Sequence, residues 1–255
     1  NVGQNAENTV TIFSLFGRLD YAFKGKYLLN ATLRRDEASV FGPANRAGSF
    51  PAIGLGWRMS EENFMKGITW ITDLKLRGGY GEVGSMSNNG PFNPFSTFRT
   101  GPGFGNYDLN GTNNSAFLGY RQGTLGNENT KWETTVSKNV GFDLTILNGK
   151  WAFDFNLYQN DTRDLLIPRN RINTEPTVNQ PNENIGTMRN NGDELGITNR
   201  GNITKDLSYD LQVNFSHYTN EIIKLNEAGN PVYYGLDRFS NAIKIDRGLP
   251  ISTFW

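Results

Sequence analysis

The chain has 255 residues with 25 acidic and 25 basic side chains, so it lacks the overall field that would gather nucleic acid, and a nucleic-acid partner is not expected. Only 36% of residues are hydrophobic and the mean hydropathy is -0.54, yet aromatics reach 13%, which argues against both an ordinary-sized soluble core and disorder. Without any Cys there are no disulfides, no thiol chemistry and no Cys-ligated metal, and no apolar run approaches the roughly 18 residues of a spanning helix. Asn1-Val2-Gly3-Gln4-Asn5 is neither basic nor apolar and does not read as a signal peptide.

Along the chain the dominant pattern is alternation with period two. Phe13, Leu15, Leu19, Tyr21 and Phe23 form one apolar set, and Tyr27, Leu29, Ala31 and Leu33 form its partner across Lys24-Gly25-Lys26. Ile12, Phe16 and Leu28 fall on the opposite face. Residues 50–59 and 73–83 make a weaker pair, followed by a very long connection over 84–130. The clearest hairpin comes next, turning at Asn148-Gly149, the dipeptide that best suits a two-residue hairpin loop. That turn sets Ile146 opposite Trp151, Leu144 opposite Phe153, Phe142 opposite Phe155 and Val140 opposite Leu157, so one face is apolar throughout. The same register opposes Asp143 to Asp154, a repulsion that requires water or a counter-ion on the other face. In the last hairpin a three-residue loop, Thr204-Lys205-Asp206, puts Ile203 against Leu207 and Leu195 against Phe215.

These segments amount to eight strands. Their connections are short at 24–26, long at 37–49, intermediate at 60–72, very long at 84–130, short at 148–149, long at 166–188 and short at 204–206, with an open end from about 221. An up-and-down meander gathers every second connection on one rim, and short turns on one side with long loops on the other are the asymmetry of outer-membrane barrels. Several strands exceed the usual 5–6 residues and approach the roughly 9–11 needed to cross a bilayer. The fold class expected is therefore all-β, an antiparallel up-and-down transmembrane β-barrel wall. A wall that is apolar outside and polar inside also reconciles negative mean hydropathy with a membrane location. Trp57, Trp70, Trp132 and Trp151 lie near strand ends, where interfacial aromatic belts belong; the competing reading makes them core tryptophans.

Specific motifs carry a resemblance. The residues Leu33-Arg34-Arg35-Asp36, Phe41-Gly42-Pro43, Leu55-Gly56-Trp57-Arg58-Met59-Ser60-Glu61-Glu62 and Leu74-Lys75-Leu76-Arg77-Gly78-Gly79-Tyr80-Gly81, then Trp132-Glu133-Thr134-Thr135, Asn139-Val140-Gly141-Phe142-Asp143, Asn190-Asn191-Gly192-Asp193-Glu194-Leu195 and Gly248-Leu249-Pro250-Ile251-Ser252, resemble the C-terminal barrel half of the SusC/RagA family. These are TonB-dependent outer-membrane transporters of Bacteroidetes. Gly192-Asp193-Glu194 departs from the family's usual Gly-aliphatic-Glu. The resemblance implies that residues 1–255 are a partial receptor barrel domain, about eight strands of 22, lacking the plug and the remaining strands. It further implies an importer for oligosaccharides or peptides that works with a SusD-like surface lipoprotein and the TonB complex, in contact with outer-membrane lipid. It implies no enzymatic activity and no cofactor. A passive porin-type barrel and a soluble carbohydrate-binding β domain are the alternatives.

Catalytic and metal motifs are sparse. Gly79-Tyr80-Gly81-Glu82-Val83-Gly84 matches a dinucleotide fingerprint but is followed by Ser85-Met86-Ser87-Asn88-Asn89, not a helix start. His217 is the sole histidine, and Glu61-Glu62 and Asp193-Glu194 are sequence neighbours that point apart in an extended chain. Asp108 to Asn114 offers oxygen ligands but lacks a terminal bidentate Glu, which favours a plain turn over a calcium loop. The 84–130 connection is the informative segment. Phe92, Phe95, Phe98, Phe104, Tyr107, Phe117 and Tyr120 lie among Gly, Asn, Ser and Thr, a composition that suits ring stacking on sugars or contact with a partner, and equally loop-to-loop packing.

Overall fold

The computed structural model describes residues 9–90, 93–101, 106–108, 111, 116–168, 181–225, 231–236 and 241–254. The strands are β1 (Ile12–Phe23), β2 (Tyr27–Ala38), β3 (Ala47–Arg58), β4 (Ile71–Ser85), β5 (Thr97–Thr100), β6 (Asn106–Asp108), β7 (Ala116–Leu118), β8 (Tyr120–Thr124), β9 (Glu133–Ile146), β10 (Trp151–Pro168), β11 (Asn182–Asn202), β12 (Ser208–Leu225), β13 (Val232–Leu236), β14 (Asn241–Ile245) and β15 (Thr253–Phe254). Eight of them form one antiparallel sheet in the order β1-β2-β3-β4-β9-β10-β11-β12, a meander in which each wall strand pairs with its neighbours along the chain. β1 and β12 are its edges, so the described sheet is an open arc of barrel wall.

The registers follow from the alternation. Phe23 faces Tyr27 and Tyr21 faces Leu29; Ile146 faces Trp151 and Phe142 faces Phe155; Leu195 faces Phe215. Lys24 and Gly25 take positive φ in the first turn, and Asn148 (φ 54) and Gly149 (φ 87) supply the two left-handed residues that a two-residue hairpin turn needs. Leu147 is left-handed too, at φ 52. Its N–H leaves the β9–β10 ladder and donates to the Trp70 carbonyl at 2.9 Å, tying this turn to the start of β4.

One face of the sheet is apolar from edge to edge, and among the described residues nothing packs on it. Leu15, Leu33, Leu55, Val140, Leu211 and Phe215 are all exposed on it, and Phe142, Leu144, Phe153 and Phe155 are half-buried only by one another and their strand neighbours. A water-soluble protein does not leave such a surface bare; this face is built for hydrocarbon. Towards the short turns it ends in aromatics, with Phe23 stacked on Tyr27 and Trp151 stacked on Phe153, and with Trp70 and Tyr209 exposed beside them. Trp132 behaves differently. It is buried against Phe41 and Phe50, with ring centroids 4.9 and 5.6 Å away, and donates from Nε1 to the Arg46 carbonyl, so it is a core tryptophan at the long-loop rim.

Several strands run further than the hydrophobic pattern indicated. Residues 166–168 and 182–188 of the expected 166–188 loop are strand, because β10 continues to Pro168 and β11 begins at Asn182. These extensions are largely polar, and their apolar residues, Leu165, Leu166 and Ile167 on β10 and Ile185 and Met188 on β11, do not alternate, so hydrophobic periodicity does not mark them. A bulge helps: Asp164 sits at φ 55, and the pairing shifts between Thr162 and Leu165. Beyond it Leu165 and Ile167 turn to the inner face, where a side chain on Gly186 would touch both. There they pack with Ile222, Leu225, Val232 and Ile245 under the small sheet β13-β14-β15. The 84–130 connection likewise contains two short hairpins, β5 with β8 and β6 with β7.

Candidate functional site: the inner wall and the long-loop rim

Behind the apolar belt the inner face carries a cluster of paired charges. Arg77, on β4, reaches across β9 to β10: Nε donates to Asp143 Oδ1 at 3.0 Å, Nη1 donates to Asn156 Oδ1 at 3.0 Å, and Nη2 lies 3.5 Å from Asp154 Oδ2. Lys75 Nζ donates to the other oxygen of Asp143 at 3.1 Å. This pair of cations is the counter-charge that the opposed Asp143 and Asp154 demanded. The guanidinium lies flat over Gly141, where an added Cβ would come within 3.1 Å of Cζ and would collide with the Phe155 carbonyl. Smaller groups line the neighbouring rows, and together with Arg18, Asp20, Asn30, Gly79 and Asn139 they bound a concavity of about 590 Å³. Such a surface offers paired charges and amides to hydrogen-bonding groups, beside apolar residues such as Ala22 and Leu28.

At the long-loop rim, side-chain amides lace the connections together. Glu133, 4% exposed, accepts the Leu166 N–H at 2.8 Å and the Asn88 amide on both oxygens. Asn93 accepts the Asn182 N–H and donates to the fully buried Thr130 hydroxyl, while Asn182 donates back to the Asn88 carbonyl. Asn184 bonds both backbone groups of Lys131 and the Asp164 carbonyl. The base of the 86–132 loop and the start of β11 are thereby fastened into one platform.

The aromatic set expected in the long loop stands on that platform in part. Phe98 pairs with Gln122 and Tyr120 with Thr100, which places Phe98 and Tyr120 diagonally on one face of the β5–β8 hairpin, 64% and 78% exposed. Phe95 is exposed just before it. Tyr107 and Phe117 are direct partners in the β6–β7 register, with side chains outside the described residues, and Phe92 and Phe104 lie outside them altogether. The Gly79–Gly84 fingerprint is interior to a strand and no helix follows. His217 is exposed in β12, on the outward register, with Nδ1 3.4 Å from Asp193 Oδ1. Sequence reasoning missed Arg77 and Glu133. The opposed aspartates were the available signal for the first, but Arg77 lies 66 residues from Asp143 in the chain.

At the short-turn rim Glu62 is the hub. Lys26 Nζ and Tyr27 Oη donate to it at 2.9 and 2.7 Å and Trp57 Nε1 at 3.3 Å. The Lys26 hydrogen bond first, then those from Tyr27 and Trp57, hold its carboxyl well below the ordinary range, at about 2.

An antiparallel meander, apolar outside, polar inside, with trimmed turns on one rim and built-up loops on the other, is a segment of transmembrane barrel wall. The sequence model of the family described as "TonB dependent receptor-like, beta-barrel" matches residues 1–250, and the chain belongs to that family. It is 35% identical over 227 residues to the TonB-dependent receptor SusC of Bacteroides thetaiotaomicron, covering 88% of this chain and 22% of that protein. It is also 35% identical over 219 residues to the TonB-dependent receptor P39 of Formosa agariphila, covering 85% and 20%. Among solved structures, the RagAB peptide importer in its open-open state superposes with a TM-score of 0.81 at 25% identity, over 96% of this chain and 25% of that one. The FrpB iron transporter of Neisseria meningitidis, at a TM-score of 0.53 and 15% identity, shares the fold. The chain thus spans about a fifth of the curated relatives it matches. It is an outer-membrane protein segment of SusC-like type, from a family of receptors and transporters.

Proposed function

We propose that residues 1–255 form part of the barrel wall and extracellular rim of a TonB-dependent importer for oligosaccharides or peptides, with a plug and further strands supplied by the rest of a longer polypeptide. A SusD-like lipoprotein covers the long-loop rim, and the TonB complex supplies energy. The observation that carries this reading is the two-faced meander, matched to the receptor-barrel family along 1–250. The size of the matched relatives and the peptide importer among the structural neighbours support it. Phe92, Phe95, Phe98, Phe104, Tyr107, Phe117 and Tyr120 are the proposed ligand or partner contacts. The exposed pair of Phe98 and Tyr120 supports this, because two exposed rings on one hairpin face give a stacking platform to a sugar or an apolar patch to a partner.

Uptake of labelled oligosaccharides and oligopeptides by cells expressing the full-length protein tests it. Accumulation is expected to need an energised inner membrane and to fall at least tenfold when Phe98 and Tyr120 are both replaced by Ala, since two stacking contacts are worth roughly 1 kcal/mol each. Uptake that is unaffected by an uncoupler identifies a passive pore and rejects the importer. Energised uptake with an unchanged rate in the double variant removes the aromatic contact while leaving the importer.

A further inference from the structure

The four connections on the rim of the short turns, three of them tight and one of 12 residues, share a feature the transport reading does not use. Each carries an exposed lysine that forms no ion pair with a described residue: Lys24 in 24–26, Lys66 in 59–70, Lys150 in 147–150 and Lys205 in 203–207. Most wall cations behave otherwise. Arg18, Arg34, Arg35, Lys75, Arg77, Arg189 and Arg200 all sit within salt-bridge distance of a carboxylate. The rim's fifth turn lysine, Lys26, is neutralised by Glu62. Glu61 and Asp206 are the rim's exposed turn carboxylates, so cations are in excess there.

Every one of these lysines also has an exposed aromatic close by in the chain. Lys24 lies over the Phe23 ring, 5.2 Å from its centroid, and Lys150 precedes Trp151 directly. Trp70 follows Lys66 by four residues and Tyr209 follows Lys205 by four. The rings end the apolar outward face, so they mark the level at which hydrocarbon gives way to headgroups. A lysine stem reaching past that level puts its ammonium where lipid phosphates lie.

We propose that the short-turn rim is a docking collar for anionic phospholipid headgroups in the leaflet it borders, with Lys24, Lys66, Lys150 and Lys205 as the phosphate contacts. The collar continues the lipid-facing surface already described and stands whether or not the protein is an importer. Zwitterionic lipids carry a phosphate too, but their own ammonium competes with lysine for it. The collar therefore discriminates by net headgroup charge.

The test uses the full-length protein in mixed phosphatidylcholine–phosphatidylglycerol vesicles, with spin-labelled lipids reporting the composition of the shell around the protein. Phosphatidylglycerol is expected to be enriched over phosphatidylcholine by roughly fivefold at a lysine contact at low salt, and the enrichment is expected to vanish at high salt. Replacing all four lysines (Lys24→Gln, Lys66→Gln, Lys150→Gln, Lys205→Gln) should abolish it, and the same four changed to Arg should keep it. The salt titration on the unaltered protein needs no variant to fold. Equal retention of both lipids overturns the proposal, and so does enrichment that survives the Gln replacements, which would locate the anionic lipid elsewhere on the wall.

Discussion

Arg77 shows how much one side chain can settle in a barrel wall. Two aspartates face each other across β9 and β10, and the guanidinium that answers them belongs to β4, lying over a glycine with no side chain to block it. Replacing Arg77 with Met leaves Lys75 to serve Asp143 and nothing on Asp154; urea unfolding should show a loss of about 1–2 kcal/mol, the modest figure expected when the groups are a quarter to two-thirds exposed. Asp154→Asn in the same background should recover part of that loss. Glu62 gives a pH signature of its own. Its carboxyl is held at about 2 in the folded chain against an ordinary 4.5, so its stabilising contribution is complete above about 4.5 and fades as the pH falls towards 2. In a Glu62→Gln variant the Tm of the full-length protein should be lower at neutral pH, and the gap to the parent should close on acidification through that window.

Among the elements, the long-loop rim is organised by amides and glycine and not by a conventional core. Phe50 projects over Gly84, where any Cβ would collide with its ring, and stacks edge-on to Trp132, which holds Val40 and Phe41 down. Gly84→Ala should therefore loosen the rim without unfolding the wall. Limited proteolysis is expected to cut the 86–132 loop faster in this variant while the β9–β12 hairpins survive; equal cutting would mean that Phe50 repacks at no cost. The hairpins themselves were legible in the sequence because their turns declare a residue count and their apolar sets then have one register that shares a face. The strand extensions above the apolar belt were not. Asn182 to Asn191 has only Ile185 and Met188 as large apolar residues, three positions apart, and a strand without alternate apolar residues carries no period-two signal.

For the molecule as a whole, the outward face makes the sharpest prediction. Leu211 lies midway along the apolar part of β12, flanked by Tyr209, Val213 and Phe215 on the same face, and it is 59% exposed to what must be lipid. Leu211→Arg should cost about 2–4 kcal/mol of folding into lipid vesicles, whereas Gln212→Arg, one residue on and facing inward, should cost little. Equal costs at both positions would mean that the outward face does not meet hydrocarbon.

The amino-acid sequence by itself determined the class of fold, the eight strands of the wall, three hairpin registers and which face is apolar, since each depends on side chains a few residues apart and on turns of fixed length. Only the tertiary structure decided which cation answers Asp143 and Asp154, that Trp132 belongs to an interior cluster and not to the aromatic belt, and how the long loop is tied to β11 through Asn93 and Asn182. Those contacts join residues tens of positions apart. Neither a local period nor a turn rule reaches that far, and their partners become neighbours only once the sheet has curled and the loops have folded onto its rim.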